Sequence, residues 1–262
     1  MSTPVTYATY LRLAELLELQ LQDDTEHEHD ELLFIVVHQV YELWFKQILH
    51  ELDRLQTLLD SNDTARVRHT LKRVLTIWKV LVAQIDILET MTPLEFLAFR
   101  DRLASGSGFQ SHQFRALEFA LGIRRRATVE HYPADSPARA WLEQRIARPS
   151  IWDSFLHYLA RTGHAVPEEQ LRRDSTRPIE PSPALQQVLL DIYRRDAAVR
   201  ELCERFVDLD EGIQEWRYRH VKMVERTIGA KPGTGGSAGA EYLRTTIARP
   251  AFPDLWEIRT EL

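Results

Sequence analysis

The residues with the most chemical promise are Trp216-Arg217-Tyr218-Arg219-His220 and the glycine-rich run Gly229 to Gly239 that follows them. Apolar residues from Val199 through Phe206, Ile213 and Val221 to Ile228 recur at three- and four-residue steps, so the spacing predicts a helix over about 197–228. Gly229 stands where a C-terminal cap belongs, and Pro232 forbids further helix. His220 then lies two turns before the helix end, with Trp216 one turn earlier on the same face. The run holds five of the chain's ten glycines, which lets backbone amides and Thr234 approach a small ligand closely. It is not a Walker loop: a helix precedes it instead of a strand, and the G-x-x-x-x-G-K-[ST] pattern is missing. A helix histidine in this setting has two readings. It packs at an interface, or it is the axial ligand of a haem iron, which needs one protein ligand and an open opposite face. In the second reading Arg217, Arg219 and Lys222 would offer cations to the propionates.

Two other positions carry chemistry. His38 follows six consecutive apolar residues, Leu32 to Val37, inside a helix expected over about 30–59. A histidine buried there needs a hydrogen-bond partner or a task. Phe34, one turn earlier on the same face, would form the wall of a pocket of which His38 is the polar point. Thr92-Pro93-Leu94-Glu95 combines a capping box with proline at the first helical position. The helix it starts places Phe96 and Arg100 on one face, an aromatic beside a bidentate clamp for a carboxylate; in the bland reading Arg100 is a surface ion-pair residue. The acidic stretch Asp23 to Glu31 contains His27 and His29 and reads as a solvated linker and helix start, not as a metal site.

The elements that must position these groups are helical throughout. One amphipathic helix is expected over 6–20, with Tyr7, Tyr10, Leu11 and Leu17 on a broad face, and another over about 63–89. Ser105 to Ser111 is a loop leading into a helix that ends at Gly122. Residues 123–135 read as a polar surface connection, and Arg124-Arg125-Arg126 as a short solvated cluster. Ser136-Pro137, Ser150 with Asp153, and Ser182-Pro183 are helix starts, and 164–181 is a proline-rich excursion. Short segments follow near 241–247 and after Pro253, and no alternating strand run appears. The chain reads as a single all-α, bundle-like domain over 1–262.

Composition bounds the rest. Hydrophobic content of 44% and charged content of 27% fit a globular core, and a net charge of −6 argues against a nucleic-acid partner. A single cysteine, Cys203, fits a reducing compartment. No apolar signal core and no apolar run of spanning length are apparent, so a cytoplasmic protein without a membrane partner is expected.

Taken together these residues resemble the tryptophan 2,3-dioxygenase family. The motifs are Thr6-Tyr7-Ala8-Thr9-Tyr10-Leu11-Arg12-Leu13, Asp30 to Gln39 with Glu42-Leu43-Trp44, Phe99-Arg100, Ser107-Gly108-Phe109-Gln110-Ser111, Trp216 to His220, and Gly233-Thr234-Gly235-Gly236-Ser237, in the family's order. The resemblance implies an intertwined homotetramer of all-helical subunits, each with haem b, ferrous when active. These would open the indole ring of L-tryptophan with O2 to N-formyl-L-kynurenine, the first step of the kynurenine pathway. It implies roles by position. His220 would be the axial ligand, and His38 the distal group near the indole N–H. Arg100 would clamp the carboxylate, and Thr234 with neighbouring backbone would hold the amino-acid end. Phe34 and Phe96 would line the indole pocket, and Ser107 and Gly108 would lie near oxygen. Tyr7, Tyr10 and Leu11, in an arm over 1–22, would reach a neighbouring subunit's site. Three positions depart from at least some members: Phe96 where some have tyrosine, His112, and Val40-Tyr41 after His-Gln. They keep open a same-fold monooxygenase forming an oxindole-type product, and, from another class, a haem sensor without catalysis.

Overall fold

The computed structural model describes residues 4–20, 27–104, 106–233, 240–247 and 249–262. Among them every regular element is helical. The elements run α1 (Tyr7–Leu11), α2 (Leu13–Leu17), α3 (His29–Asp60), α4 (Thr64–Leu88), α5 (Pro93–Phe99), α6 (His112–Ala120) and α7 (Pro137–Ala147). Then come α8 (Ile151–Arg161), α9 (Glu168–Leu171), α10 (Pro183–Arg195), α11 (Ala197–Ile228), α12 (Ala240–Ile247) and α13 (Pro253–Glu257).

Two 32-residue helices, α3 and α11, flank α4, and the three form the spine of the molecule. Each buries one stripe at helical spacing: Val37, Tyr41, Phe45, Ile48, Leu52, Leu55 and Leu59 on α3, and Val199, Leu202, Phe206, Leu209 and Ile213 on α11. Burying a side chain of this size is worth roughly 1.5–3 kcal/mol. Helices α6 and α8 cover α3, while α10 and α12 pack along α11. The starts are set by side-chain caps: Asp63 accepts from the amide of Arg66, and Thr92 and Ser150 form reciprocal capping boxes. The C-terminus is fastened by Asp210, buried on α11, which accepts from the amides of Ala251 and Phe252 and from the indole N–H of Trp256 at 2.9–3.0 Å.

Four sequence expectations change. The single helix over 6–20 is two short helices broken at Arg12, whose φ of 53° is left-handed. No residue of either is buried, so no packed face holds one continuous helix together. The connection after α6 is not simply solvated, because Arg124 is buried and its Nη2 donates to the carbonyl of Arg148 at 2.6 Å. The 164–181 excursion is a strap lying on the core: Val166, Leu171 and Ile179 pack against it, and Ile179 sits where a Cβ on Gly122 would be, 2.3 Å from its Cδ1. Finally, α3 is long and apolar enough, by length and composition, to cross a membrane. Its apolar stripe has a core to pack on in α4, α6 and α8.

Candidate functional site

One cavity of about 690 Å³ opens between α3, α5, the start of α6 and the last turns of α11. Seven of the residues to which the resemblance gives a role at the site line it: Phe34, His38, Phe96, Arg100, Ser107, Gly108 and His220. They come from four separate stretches, which folding brings to one volume.

His38 faces the cavity from α3 with its protonation pattern already decided. Its Nδ1 lies 2.7 Å from the carbonyl oxygen of Phe34. A carbonyl only accepts, so Nδ1 carries the proton and Nε2 keeps its lone pair. Burial lowers the His38 pKa, against the smaller opposing effects of the Phe34 carbonyl and Glu42. The neutral imidazole is the form present at neutral pH. The Phe34 ring lies 4.1 Å from the His38 ring, and Phe34, Phe96 and Phe99 stand 5.4–5.8 Å from one another as an aromatic wall.

His220 faces the same cavity from α11. Burial, with the nearby His38 and Arg115, pushes its pKa down to about 4. Among the described residues neither of its ring nitrogens has a hydrogen-bond partner. Trp216 stacks on it at 5.0 Å with planes 10° apart, and Tyr41, Phe45, Trp78 and Phe114 surround Trp216 at 4.9–6.4 Å. Tyr41, one of the departures noted in the sequence, gives its hydroxyl proton to the carbonyl of Leu81 at 2.7 Å, and burial raises its pKa to about 12. It is a packing residue of the wall, not an acid. His112 also lines the cavity, its ring centre 5.4 Å from that of Trp141 with the planes nearly perpendicular.

Arg100 stands at the end of α5, where its Nη2 donates to the carbonyl of Pro232 at 2.7 Å. That contact brings the clamp candidate to the entry of the glycine run, and Gly233 lines the cavity. Thr234 and residues 235–239 lie outside the described residues. Tyr7, Tyr10 and Leu11 are not brought to this cavity; on their own subunit they are exposed, the two tyrosines at 77%. Of the cations expected to face a ligand, Arg217 lines the cavity. Arg219 is instead committed to Asp86 and Glu89 on α4, and Lys222 to Glu225. Residues 23–26 of the acidic stretch are not described; within the rest, His27 lies 3.3 Å from Glu31, and no metal-binding cluster appears among the described residues.

Sequence reasoning picked out Arg217 but missed the polar wall it forms with Arg115, Glu118 and Arg125. Glu118 is 2% exposed and receives all three guanidiniums, from Arg115 and Arg125 at 2.5 Å and from Arg217 at 2.9 Å. Arg115 and Glu118 three residues apart read as an ordinary surface pair on a helix. Only the packing of α11 and of the connection after α6 against α6 reveals a buried cluster.

Fold and site together define an all-helical protein with a large interior ligand chamber walled by two neutral histidines, aromatic rings and arginines. The sequence profile of the tryptophan 2,3-dioxygenase family matches residues 1–139 and 184–262. The chain is 60% identical to a tryptophan 2,3-dioxygenase of Herpetosiphon aurantiacus over 262 residues, covering all of both chains. It is 58% identical to one from Anaeromyxobacter sp. (strain K), covering 100% of this chain and 97% of that one. It is 44% identical to one from Caulobacter vibrioides over the full length of both. The chain belongs to the tryptophan 2,3-dioxygenase family.

Proposed function

We propose that the chain is a haem-dependent dioxygenase that cleaves the C2–C3 bond of the indole of L-tryptophan with O2, giving N-formyl-L-kynurenine. The observation that carries this reading is the pair of neutral histidines, His38 and His220, facing one aromatic-walled cavity from two different helices. The donor set suits a haem: a neutral imidazole without a competing hydrogen bond among the described residues, an apolar chamber, and arginines for carboxylates. Bound haem would supply the oxygen chemistry, with iron held by His220.

The remaining work falls to this chain's own side chains. The free lone pair on His38 Nε2 accepts the indole N–H and sets the ring's orientation; its lowered basicity suits a hydrogen-bond acceptor better than a strong base. Phe34 and Phe96 flank the indole and keep water from its face. Arg100 has donors beyond the one given to Pro232 and uses them for the substrate carboxylate, a bidentate contact that fixes angle as well as distance. Thr234 and the glycine backbone hold the amino-acid end, while Ser107 and Gly108 border the place for oxygen. A Cβ at Gly108 would meet nothing within 4 Å, so the backbone there faces open space. In the same reading the protein is a cytoplasmic homotetramer. Tyr7, Tyr10 and Leu11, exposed on their own subunit, complete a neighbour's chamber.

The test is reduction of the haem-loaded protein without oxygen, then addition of L-tryptophan and O2, with the product weighed by mass spectrometry. Gain of two oxygen atoms with the absorbance of N-formylkynurenine is expected. Gain of one would replace this reading with monooxygenation. No product despite a normal haem spectrum would leave a sensor or another indole substrate.

A further inference from the structure

A metal-binding histidine ordinarily gives the proton on its second ring nitrogen to a carboxylate, a carbonyl or a water, and that bond fixes the orientation of the ring. His220 departs from this arrangement: among the described residues no protein group accepts from either of its ring nitrogens. The ring is laid instead on Trp216, one turn earlier on α11, with centroids 5.0 Å apart and planes within 10° of parallel. At that separation parallel rings are offset, the arrangement their quadrupoles favour. Residues four apart on a helix share a face, but such a pair on its own leaves both side chains free to change rotamer. Here the tertiary structure takes that freedom from Trp216. Phe114 of α6 lies 4.9 Å from it with planes 40° apart, and Tyr41 and Phe45 of α3 and Trp78 of α4 meet it edge to face at 6.2–6.4 Å. Tyr41 is fixed in turn, its hydroxyl donating to the carbonyl of Leu81 at 2.7 Å. Three helices hold one indole, and that indole holds the imidazole. Turning the His220 ring out of its plane would break the parallel contact, and Trp216 cannot follow it without disturbing the four rings packed around it.

We infer that Trp216 is a positioning residue: by stacking, it sets the plane of the His220 imidazole, the task that a hydrogen bond performs for most metal-bound histidines. This rests on the reading of His220 as the axial ligand and adds to it the group that decides its orientation. It also ties that orientation to the packing of α3, α4 and α6, since their rings are what hold Trp216 in place.

The experiment loads the full-length protein with haem, reduces it without oxygen and records the iron–histidine stretching band by resonance Raman, with haem affinity taken from titration of the Soret band. Trp216→Phe keeps a ring at the position. Trp216→Leu and Trp216→Met fill the wall without one, and give two chances of a non-aromatic variant whose helical circular dichroism matches the parent. The phenylalanine variant should keep the parent's band and affinity. The leucine and methionine variants should shift and broaden the band and bind haem about tenfold more weakly or worse, the ordinary cost of losing a group that orients a metal ligand. A folded non-aromatic variant with the parent's band and affinity would overturn the inference. So would a phenylalanine variant altered as much as the other two, because size and not stacking would then be the cause. Absence of a histidine-ligated band from the parent protein would instead bring down the axial-ligand reading itself.

Discussion

His38 shows how far one residue can be read before and after folding. The apolar run around it demands a partner or a task, and that demand is legible in the sequence. The partner is not: the carbonyl of Phe34 becomes available only through the geometry of α3, and it is that carbonyl which fixes the tautomer. Both chamber histidines resist protonation in the fold, His38 by burial and His220 down to about 4 from an ordinary 6.5. Protons therefore bind the unfolded chain more readily. The stability these groups contribute is complete above about pH 6.5 and is lost as pH falls toward about 4. Thermal melts of the haem-free protein should show this descent, and a melting temperature that rises on acidification would contradict it. Arg100→Ala should raise KM for L-tryptophan roughly ten- to a hundredfold, the worth of a charge-assisted hydrogen bond, while the haem spectrum stays as in the parent. Loss of haem from that variant would place Arg100 in the wrong role. His220→Ala should lose haem or its normal ligation, and an unchanged Soret band would refute the axial assignment.

At the scale of elements, long periodic helices were legible because one stripe of apolar residues must find a core: α3, α4 and α11 fall within a residue or so of their expected bounds. The N-terminal pair was not, because Tyr7, Tyr10 and Leu17 form a face that their own subunit leaves exposed. A periodic pattern without a partner does not say where the helix breaks. Nor was the Glu118 cluster legible, since alternating charge looks the same on a wet face and a buried one. The fastening of α13 was equally hidden. Asp210 is an acid in the middle of a helix, ordinarily a solvated position, yet it is 1% exposed and satisfies two amides and an indole N–H across 41–46 residues of sequence. Asp210→Ala would leave those donors buried without an acceptor, at a cost of about 3 kcal/mol or more. Chemical denaturation should register that loss, and a variant within 0.5 kcal/mol of the parent, roughly the range of an ordinary surface change, would show that the C-terminus is held by packing alone.

Over the whole molecule, the fold class follows from the absence of alternation and the abundance of capped helical segments, but the chamber emerges only when α3, α5, α6 and α11 meet. The strap between α8 and α10 belongs to that larger scale as well. Its two halves are held separately: Val166 and Leu171 on one side and Ile179 on the other pack into the core, and Arg173 reaches Asp153 at 2.6 Å. Between those anchors Arg172 and Arg177 are open to solvent, with side chains 79% and 81% exposed. Trypsin should therefore cut first after Arg172, because Pro178 protects the bond after Arg177. Gel filtration should then return one particle of unchanged size that denaturing electrophoresis separates into two fragments. Covalent continuity of the chain and integrity of the fold would thus be separable at this one point, and genetic splitting of the chain there should yield halves that assemble around the same chamber.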